Sequence, residues 1–425
     1  MSLNNTVGKK NVLVFTLSPP LPAASGAPIY VMNTLMPLAD QYNLHLFTIG
    51  GEKEVAHISK HREIYERYFK SVHVEPRAKA PAEKGLYGQI KHSLEHIYHG
   101  LPFMDASYYS ADAVSNARRI VQDQKIDLME IHSSHLAFFK KFIDHVPAVL
   151  VSHNIETDIF PFWIPQHLKG WKRKAVELVA QQSRKNAHEV EAKNKWKFEA
   201  ITFISQRDME RCTASTIKAH LPLCLPIKPG KYRNKPQDEV NLLWMGGFWW
   251  YPNAEAVVWF AKEIFPKIQD KLKANNINLH FLGDAPPSEL VAIANDQNVF
   301  VHGFVESIDD MLKKTHMLFV PLLSGGGVRV KILEAMSNGI PVLSTTKGCE
   351  GLGVTDGKDI VVRDDAEAFA NAMLELAGDP QRREQLSKAA VELLNNHYNL
   401  GHCVLLKDEI YQKISISTKE RNSIR

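Results

Sequence analysis

The chain alternates short apolar runs with helical stretches along most of its length, and that alternation constrains it more than any other feature. In the first half the runs are "NVLVFTL", "NLHLFTI", "KSVHVE", "IDLMEIH", "PAVLVSH" and "EAITFIS". In the second they are "VNLLWMG", "INLHFLG", "NVFVHGF", "HMLFVPL", "IPVLST" and "KDIVV". Short apolar strands joined through helices imply parallel sheets with both faces covered, so the fold class is α/β. Between the halves, "PIKPGKYRNKPQDE" (Pro226 to Glu239) is rich in Pro, Lys and Gly and almost free of apolar residues, which reads as an interdomain linker. At 425 residues the chain exceeds one ordinary core and divides into two domains of roughly 200 residues each. The expectation is two Rossmann-like, doubly wound domains facing a central cleft, with ligands at the carboxyl ends of the strands.

A content of 44% hydrophobic and 23% charged residues is that of a soluble globular protein. Lys9 and Lys10 before "NVLVFTL" and "PAASGA" superficially copy a signal peptide, but the apolar run is short and ends in "SPPLP". A buried first strand is the better reading. No segment approaches the roughly 20 apolar residues that span a bilayer. Cys212, Cys224, Cys349 and Cys403 are scattered, without a C-x-x-C pair or a His at ligand spacing. Neither a zinc site nor a disulfide framework is suggested, and a cytoplasmic location fits.

A net charge of +4 is too small to indicate nucleic acid, and none is expected as a partner. The charge is uneven: between Gln166 and Lys235 stand sixteen Lys and Arg against six Asp and Glu. Much of that excess falls in a helical pattern of about seven turns, "HLKGWKRKAVELVAQQSRKNAHEVEAKNKWKFE", beside Phe160, Phe162 and Trp163. It reads as a solvated helix face, as a peripheral contact of region 160–200 with the anionic inner face of a membrane, or as a surface that meets an anionic acceptor.

The segment "HMLFVPLLSGGGVRVKILEAMSNGIPVLST", residues 316 to 345, carries the chemistry. Gly325, Gly326 and Gly327 follow an apolar strand, so the loop can adopt positive φ and let a ligand approach the backbone. A helix beginning near Val328 offers free N–H groups at its positive end, a ready anion site. Arg329 and Lys331 add charge where the dipole disfavours it, a conflict that a bound diphosphate removes. Glu334 is suited to ribose hydroxyls, and Asn338-Gly339 caps the helix C-terminus. The NAD fingerprint G-x-G-x-x-G/A fails because Val330 follows at the third position, and no G-K-[ST] of a P-loop occurs. No D-x-D pair occurs either. No metal and no cofactor is expected.

With these residues in view, the sequence resembles the retaining glycosyltransferases of family 4, which have the GT-B fold of two Rossmann-like domains. The resemblance is strongest from Val240 to about Asn395, through "LLWMGGFWWYPNAEAVVWF", "LHFLGDAP", the stretch from "VHGFVES" to "KGCEGL", and "DPQRREQL". It continues more weakly through "SPPLPAASGAPIYVMNTL", "VLVSHNIETD" and "ITFISQRDMER". The domain plan is an acceptor-binding domain at 1–225, a linker at 226–239 and a nucleotide-sugar-binding domain at 240–399. A helix at 400–425 is expected to pack back on the first domain.

The resemblance implies a UDP- or GDP-type nucleotide sugar as donor, a glycan or lipid-linked acceptor, and a role in cell-surface polysaccharide synthesis. It implies that Arg329 and Lys331 hold the leaving diphosphate and that His153 lies beside the transferred sugar. Gly246, Gly247, Gly303, Phe304, Val305, Gly325, Gly326, Gly327, Val328 and Glu334 would bind the donor, and Gly26 would sit near the phosphates and acceptor. Two departures stand out. Gly326 occupies the position, eight residues before Glu334, where the family has a first glutamate. No cation lies between Val240 and Lys262, where the family has an Arg and a Lys. The chain is similar to the branch in which G-G-G-x-R-x-K replaces them. A non-catalytic nucleotide-sugar-binding subunit and a GT-B epimerase are the alternatives. His132 and His135 in "IHSSH" stand at a strand end; a metal pair is one reading of their spacing, and cleft lining is another for His132 alone. Phe248, Trp249, Trp250 and Trp259 are read as core and cleft wall. Glu350 either lines the sugar pocket or caps a helix.

Overall fold

The computed structural model describes residues 8–22, 26–77, 98, 100, 108–155, 170–228, 238–294, 298–305 and 307–423. The aromatic stretch at Phe160, Phe162 and Trp163 and residues 229–237 of the linker lie outside the described residues. The chain forms two compact units, Met1–Cys224 with Leu400–Arg425, and Leu225–Asn399.

The first unit is built on a parallel sheet of order β3-β2-β1-β4-β5-β6-β7. Its strands are β1 (Asn11–Thr16), β2 (Asn43–Gly50), β3 (Phe69–Pro76), β4 (Leu128–His132), β5 (Ala148–Ser152), β6 (Ala200–Phe203) and β7 (Ile217–His220). Val14 of β1 pairs with Leu46 on one side and Glu130 on the other, so the strand order reverses between β1 and β4. In doubly wound sheets ligands bind beyond the carboxyl ends at that reversal. Phe15 stacks on Phe139 with ring centroids 4.4 Å apart, and Phe47 closes the cluster at 5.2 Å from each. The last helix, Leu400–Ser423, packs against Gly26–Leu35 of this unit.

The second unit repeats the plan with order β10-β9-β8-β11-β12-β13. The strands are β8 (Val240–Met245), β9 (Ile277–Leu282), β10 (Val299–Val301), β11 (Thr315–Val320), β12 (Val342–Ser344) and β13 (Val361–Val362). Phe260, Phe281 and Phe319 pack around one point, with centroid separations of 5.1 to 5.5 Å. Between the helices Tyr251–Trp259 and Phe265–Ala274 the backbone makes a π-helical turn, Phe260–Ile264. Pro266 explains it: the ring lacks an N–H for the carbonyl four residues back and crowds it.

The long basic helix runs from Gly170 to Glu191, shorter than the sequence pattern. Asn194 and Lys197 adopt φ of 52° and 58°, which ends it. Arg173, Lys174, Arg184 and Lys185 are exposed along it. Among the described residues, no helix is long and apolar enough to cross a membrane.

Candidate functional site

The glycine loop sits at the carboxyl end of β11, beside β8 at the reversal point of the second sheet. Gly325 and Gly327 take φ of 99° and 76°, values at which a side chain would strain the backbone. The helix that follows runs Val330–Ser337, two residues later than the sequence suggests, with Arg329 at its N-cap. The reason is local: Gly327 is left-handed and Arg329 has ψ of 87°. Among the described residues, no side chain caps this N-terminus. Its other end closes as expected, with Gly339 N–H donating to Met336 O and Ile340 N–H to Ala335 O, both at 2.9 Å.

Arg329 folds over its own loop. Nη1 donates to Gly326 O and Nη2 to Ser324 O. Its Nε and the Ser324 hydroxyl are buried without a hydrogen-bond partner among the described residues. Buried polar groups are rarely left this way. Burial lowers the Arg329 pKa, opposed by the charge of Glu350; Glu350 itself pairs with Lys347 at 2.6 Å.

Lys331 is held from the β8 side. Its ammonium lies 3.9 Å from the centre of the fully buried Trp244 ring, within reach of a cation–π interaction. It donates to Asn253 Oδ1 at 3.1 Å, while Asn253 Nδ2 donates to Gly247 O at 2.9 Å. A Cβ at Gly246, where φ is 149°, would stand 2.7 Å from that ammonium, so this glycine leaves the space Lys331 occupies. Gly246 N–H donates to Leu282 O at 2.8 Å and Gly283 N–H to Gly303 O at 2.9 Å. These bonds tie together the loops after β8, β9 and β10. Gly246, Gly247, Gly303, Gly325 and Lys331 are thereby gathered at one edge of one sheet. Phe304 is 77% exposed and Val305 half-buried beside them, and Val328 accepts from Val330 N–H. Of the aromatic run, Phe248 is buried, Trp249 is 73% exposed and Trp259 packs on Phe369.

Two groups on the helix have displaced pKa values. Burial, with repulsion from Arg329, lowers Lys331 to about 7. Burial, with the charge of Asp309, raises Glu334 to about 7. Between 4.5, its ordinary value, and 7, folded Glu334 keeps a proton that the unfolded chain has lost, so its contribution makes stability fall as pH rises. Between 7 and 10.5 the unfolded chain keeps the Lys331 proton that the folded one has lost, so stability rises. We expect the unliganded melting temperature to carry a dip near neutrality. Glu334→Gln should remove the falling limb and Lys331→Met the rising one; an unchanged profile in both variants would contradict these assignments.

In the first unit, Gly26 opens the helix Gly26–Leu35 after β1, and His153 follows β5. His153 meets His132, the last residue of β4, with Nε2 to Nδ1 at 3.1 Å. His135 stacks instead on Tyr108, and no group of three or more His, Cys, Asp or Glu able to hold a metal occurs among the described residues. Sequence reasoning missed Trp244, Asn253 and Ser324. The asparagine had a signal, since a polar residue directly after Pro252 in a helix's first turn can reach neighbouring loops. Trp244 read only as a core residue of its strand.

Residues 239–379 match the model of the family described as glycosyl transferases group 1. A Klebsiella pneumoniae protein described as an uncharacterized 44.6 kDa protein in the cps region is 23% identical over 212 residues, 48% of this chain and 53% of that protein. The chain thus spans about half the length of that curated relative. Among solved structures, a sucrose-phosphate synthase of Thermosynechococcus elongatus is similar at TM-score 0.63 and 15% identity, covering 96% of this chain and 100% of that one. HepE of Anabaena in complex with UDP gives TM-score 0.63 and 12% identity, covering 95% and 100%. A Rickettsia africae glycosyltransferase gives TM-score 0.61 and 11% identity, covering 96% and 98%. The likeness to these structures is one of fold, the two-domain GT-B arrangement of Rossmann-like domains.

Proposed function

We propose that this protein is a retaining, metal-independent glycosyltransferase. It would move a hexose from a UDP- or GDP-type nucleotide sugar to a hydroxyl of a glycan or lipid-linked acceptor, in the synthesis of a cell-surface polysaccharide. The observation that carries this reading is the glycine loop: a backbone open to close approach, an uncapped helix N-terminus, two cations, and two buried polar atoms waiting for a partner. The family match over the same residues supports sugar transfer, and the structures of HepE with UDP and with UDP-glucose support a nucleotide sugar as donor. The cps-region relative supports the polysaccharide role.

In the reaction, the bond from the anomeric carbon to the diphosphate breaks while the acceptor oxygen bonds to that carbon on the same face. The acceptor proton passes to the departing phosphate oxygen. Negative charge grows on that oxygen, and Arg329, Lys331 and the loop N–H groups stabilise it without reorganising. A diphosphate beside Lys331 would favour the protonated amine and raise its lowered pKa, so proton uptake would accompany binding. No side chain serves as a covalent nucleophile. His153 is assigned to orienting a substrate hydroxyl.

The test is to incubate the protein with UDP- and GDP-sugars, with and without a glycan or lipid-linked acceptor fraction, and follow the products by mass spectrometry. Acceptor-dependent release of the nucleoside diphosphate with a mass gain of one sugar supports the reading. Interconversion of the donor without acceptor would replace it by an epimerase. Binding without turnover would replace it by a non-catalytic subunit, which the glycine at position 326 favours.

A further inference from the structure

The first unit holds a chain of buried ionisable groups that the diphosphate loop does not use. Glu130, on β4, is fully buried, and its carboxylate receives three donors. Lys407 Nζ and His132 Nε2 both lie 2.7 Å from Oε1, and the Tyr411 hydroxyl donates to Oε2. Lys407, itself 1% exposed, also reaches Thr34 Oγ1 at 3.2 Å. Burial alone would raise the Glu130 carboxyl, but Lys407 and His132 bring it down to about 2. With three donors on it, one of them an ammonium, it is held as a carboxylate.

An ionised carboxylate can only accept, so the proton of His132 is on Nε2. Burial keeps His132 neutral against the pull of Glu130, which leaves a lone pair on Nδ1. That nitrogen faces His153 Nε2 at 3.1 Å, so His153 must donate from Nε2. Burial, then repulsion from His132 and Lys407, keeps His153 neutral as well. The remaining ring nitrogen of His153, Nδ1, then carries a lone pair. The edge-on ring of Tyr30, 5.2 Å from His153 and 6.1 Å from His132, holds both imidazoles in place.

We propose that Glu130, Lys407 and Tyr411 are positioning residues for His153: through His132 they fix its Nε2–H tautomer, so that Nδ1 offers only an acceptor to a substrate hydroxyl. The hydroxyl as partner rests on the reading of His153 given above; the tautomer does not. A carboxylate at the far end of the chain thus decides what the near end presents. Two of its three donors come from the C-terminal helix, which gives that helix a part in substrate recognition as well as in packing.

The test reads the tautomers directly, by long-range proton–nitrogen correlation spectra of the full-length protein labelled with nitrogen-15 histidine. His132→Asn and His153→Gln variants assign the two rings. The expected wild-type result is a protonated Nε2 and a bare Nδ1 on both rings at neutral pH. The double variant Glu130→Leu, Lys407→Met removes both ends of the buried pair together, an exchange that is often neutral for stability. It should turn the single His153 tautomer into a mixture that includes Nδ1–H. A cationic or Nδ1–H His153 in the wild type would overturn the proposal, and so would an unchanged His153 signal in the double variant. Should that variant fail to fold, the wild-type spectrum and Tyr411→Phe, expected to shift the His132 resonances first, still decide. None of these readouts requires sugar transfer, so a failure of the transferase reading is separately visible.

Discussion

Arg329→Ala is expected to lower turnover 100- to 1000-fold, about 2.7–4 kcal/mol of transition-state stabilisation, with the KM for the acceptor little changed. The guanidinium is already aimed along the glycine loop by its bonds to Gly326 O and Ser324 O, so the site need not reorganise as charge develops. Lys331→Ala should cost a similar factor. The double variant should lose less than the product of the two, because the proposal assigns both cations to the same departing oxygens. Arg329→Lys should recover only part of the loss, since an ammonium lacks the planar fork that bonds two carbonyls and a ligand together. Steady-state kinetics on the donor that the protein accepts provide the check. A single variant with wild-type kcat would remove Arg329 from the reaction.

Trp244→Ala is expected to destabilise the second unit by about 3–5 kcal/mol, the usual cost of deleting a buried indole. That corresponds to a fall of roughly 6 to 20 °C in the melting transition of a unit this size. Trp244 is fully buried in β8, so the loss is a cavity in the sheet's core. The same ring supports the Lys331 ammonium, so diphosphate affinity should fall too. Trp244→Phe keeps an aromatic face and should retain more of both. Calorimetry beside nucleotide titration separates the effects; full stability after Trp244→Ala would mean that the ring is not part of the core.

The sheets were largely legible because parallel strands carry their burial in their own composition. "VLVF", "AVLV" and "LLWM" are apolar runs that only a strand covered on both faces makes sense of. β7 was not legible: "IKAH" is four residues long, lies at the sheet edge, and leaves Ile217 37% exposed. The glycine loop stood out because glycines, cations and the helix that follows are neighbours in sequence. Asn253 and Trp244 did not, since their contact with Lys331 spans loops that only the sheet brings together. The same holds for Glu130 and Lys407, which are 277 residues apart. Each looks like an ordinary charged residue until the fold buries the pair, and periodicity carries no record of such long-range pairing.

Thermal stability shows whether the glycine loop binds the diphosphate of a nucleotide. Wild type and the Arg329→Ala, Lys331→Ala double variant would be compared with UDP, GDP, ADP and NAD. A nucleotide at 100 times its dissociation constant adds about 2.7 kcal/mol to the folded state, a shift of several degrees. UDP or GDP is expected to raise the melting temperature of the wild type and to leave the double variant unmoved. A folded wild type that no nucleoside diphosphate stabilises, or a double variant stabilised as strongly as the wild type, would contradict such binding.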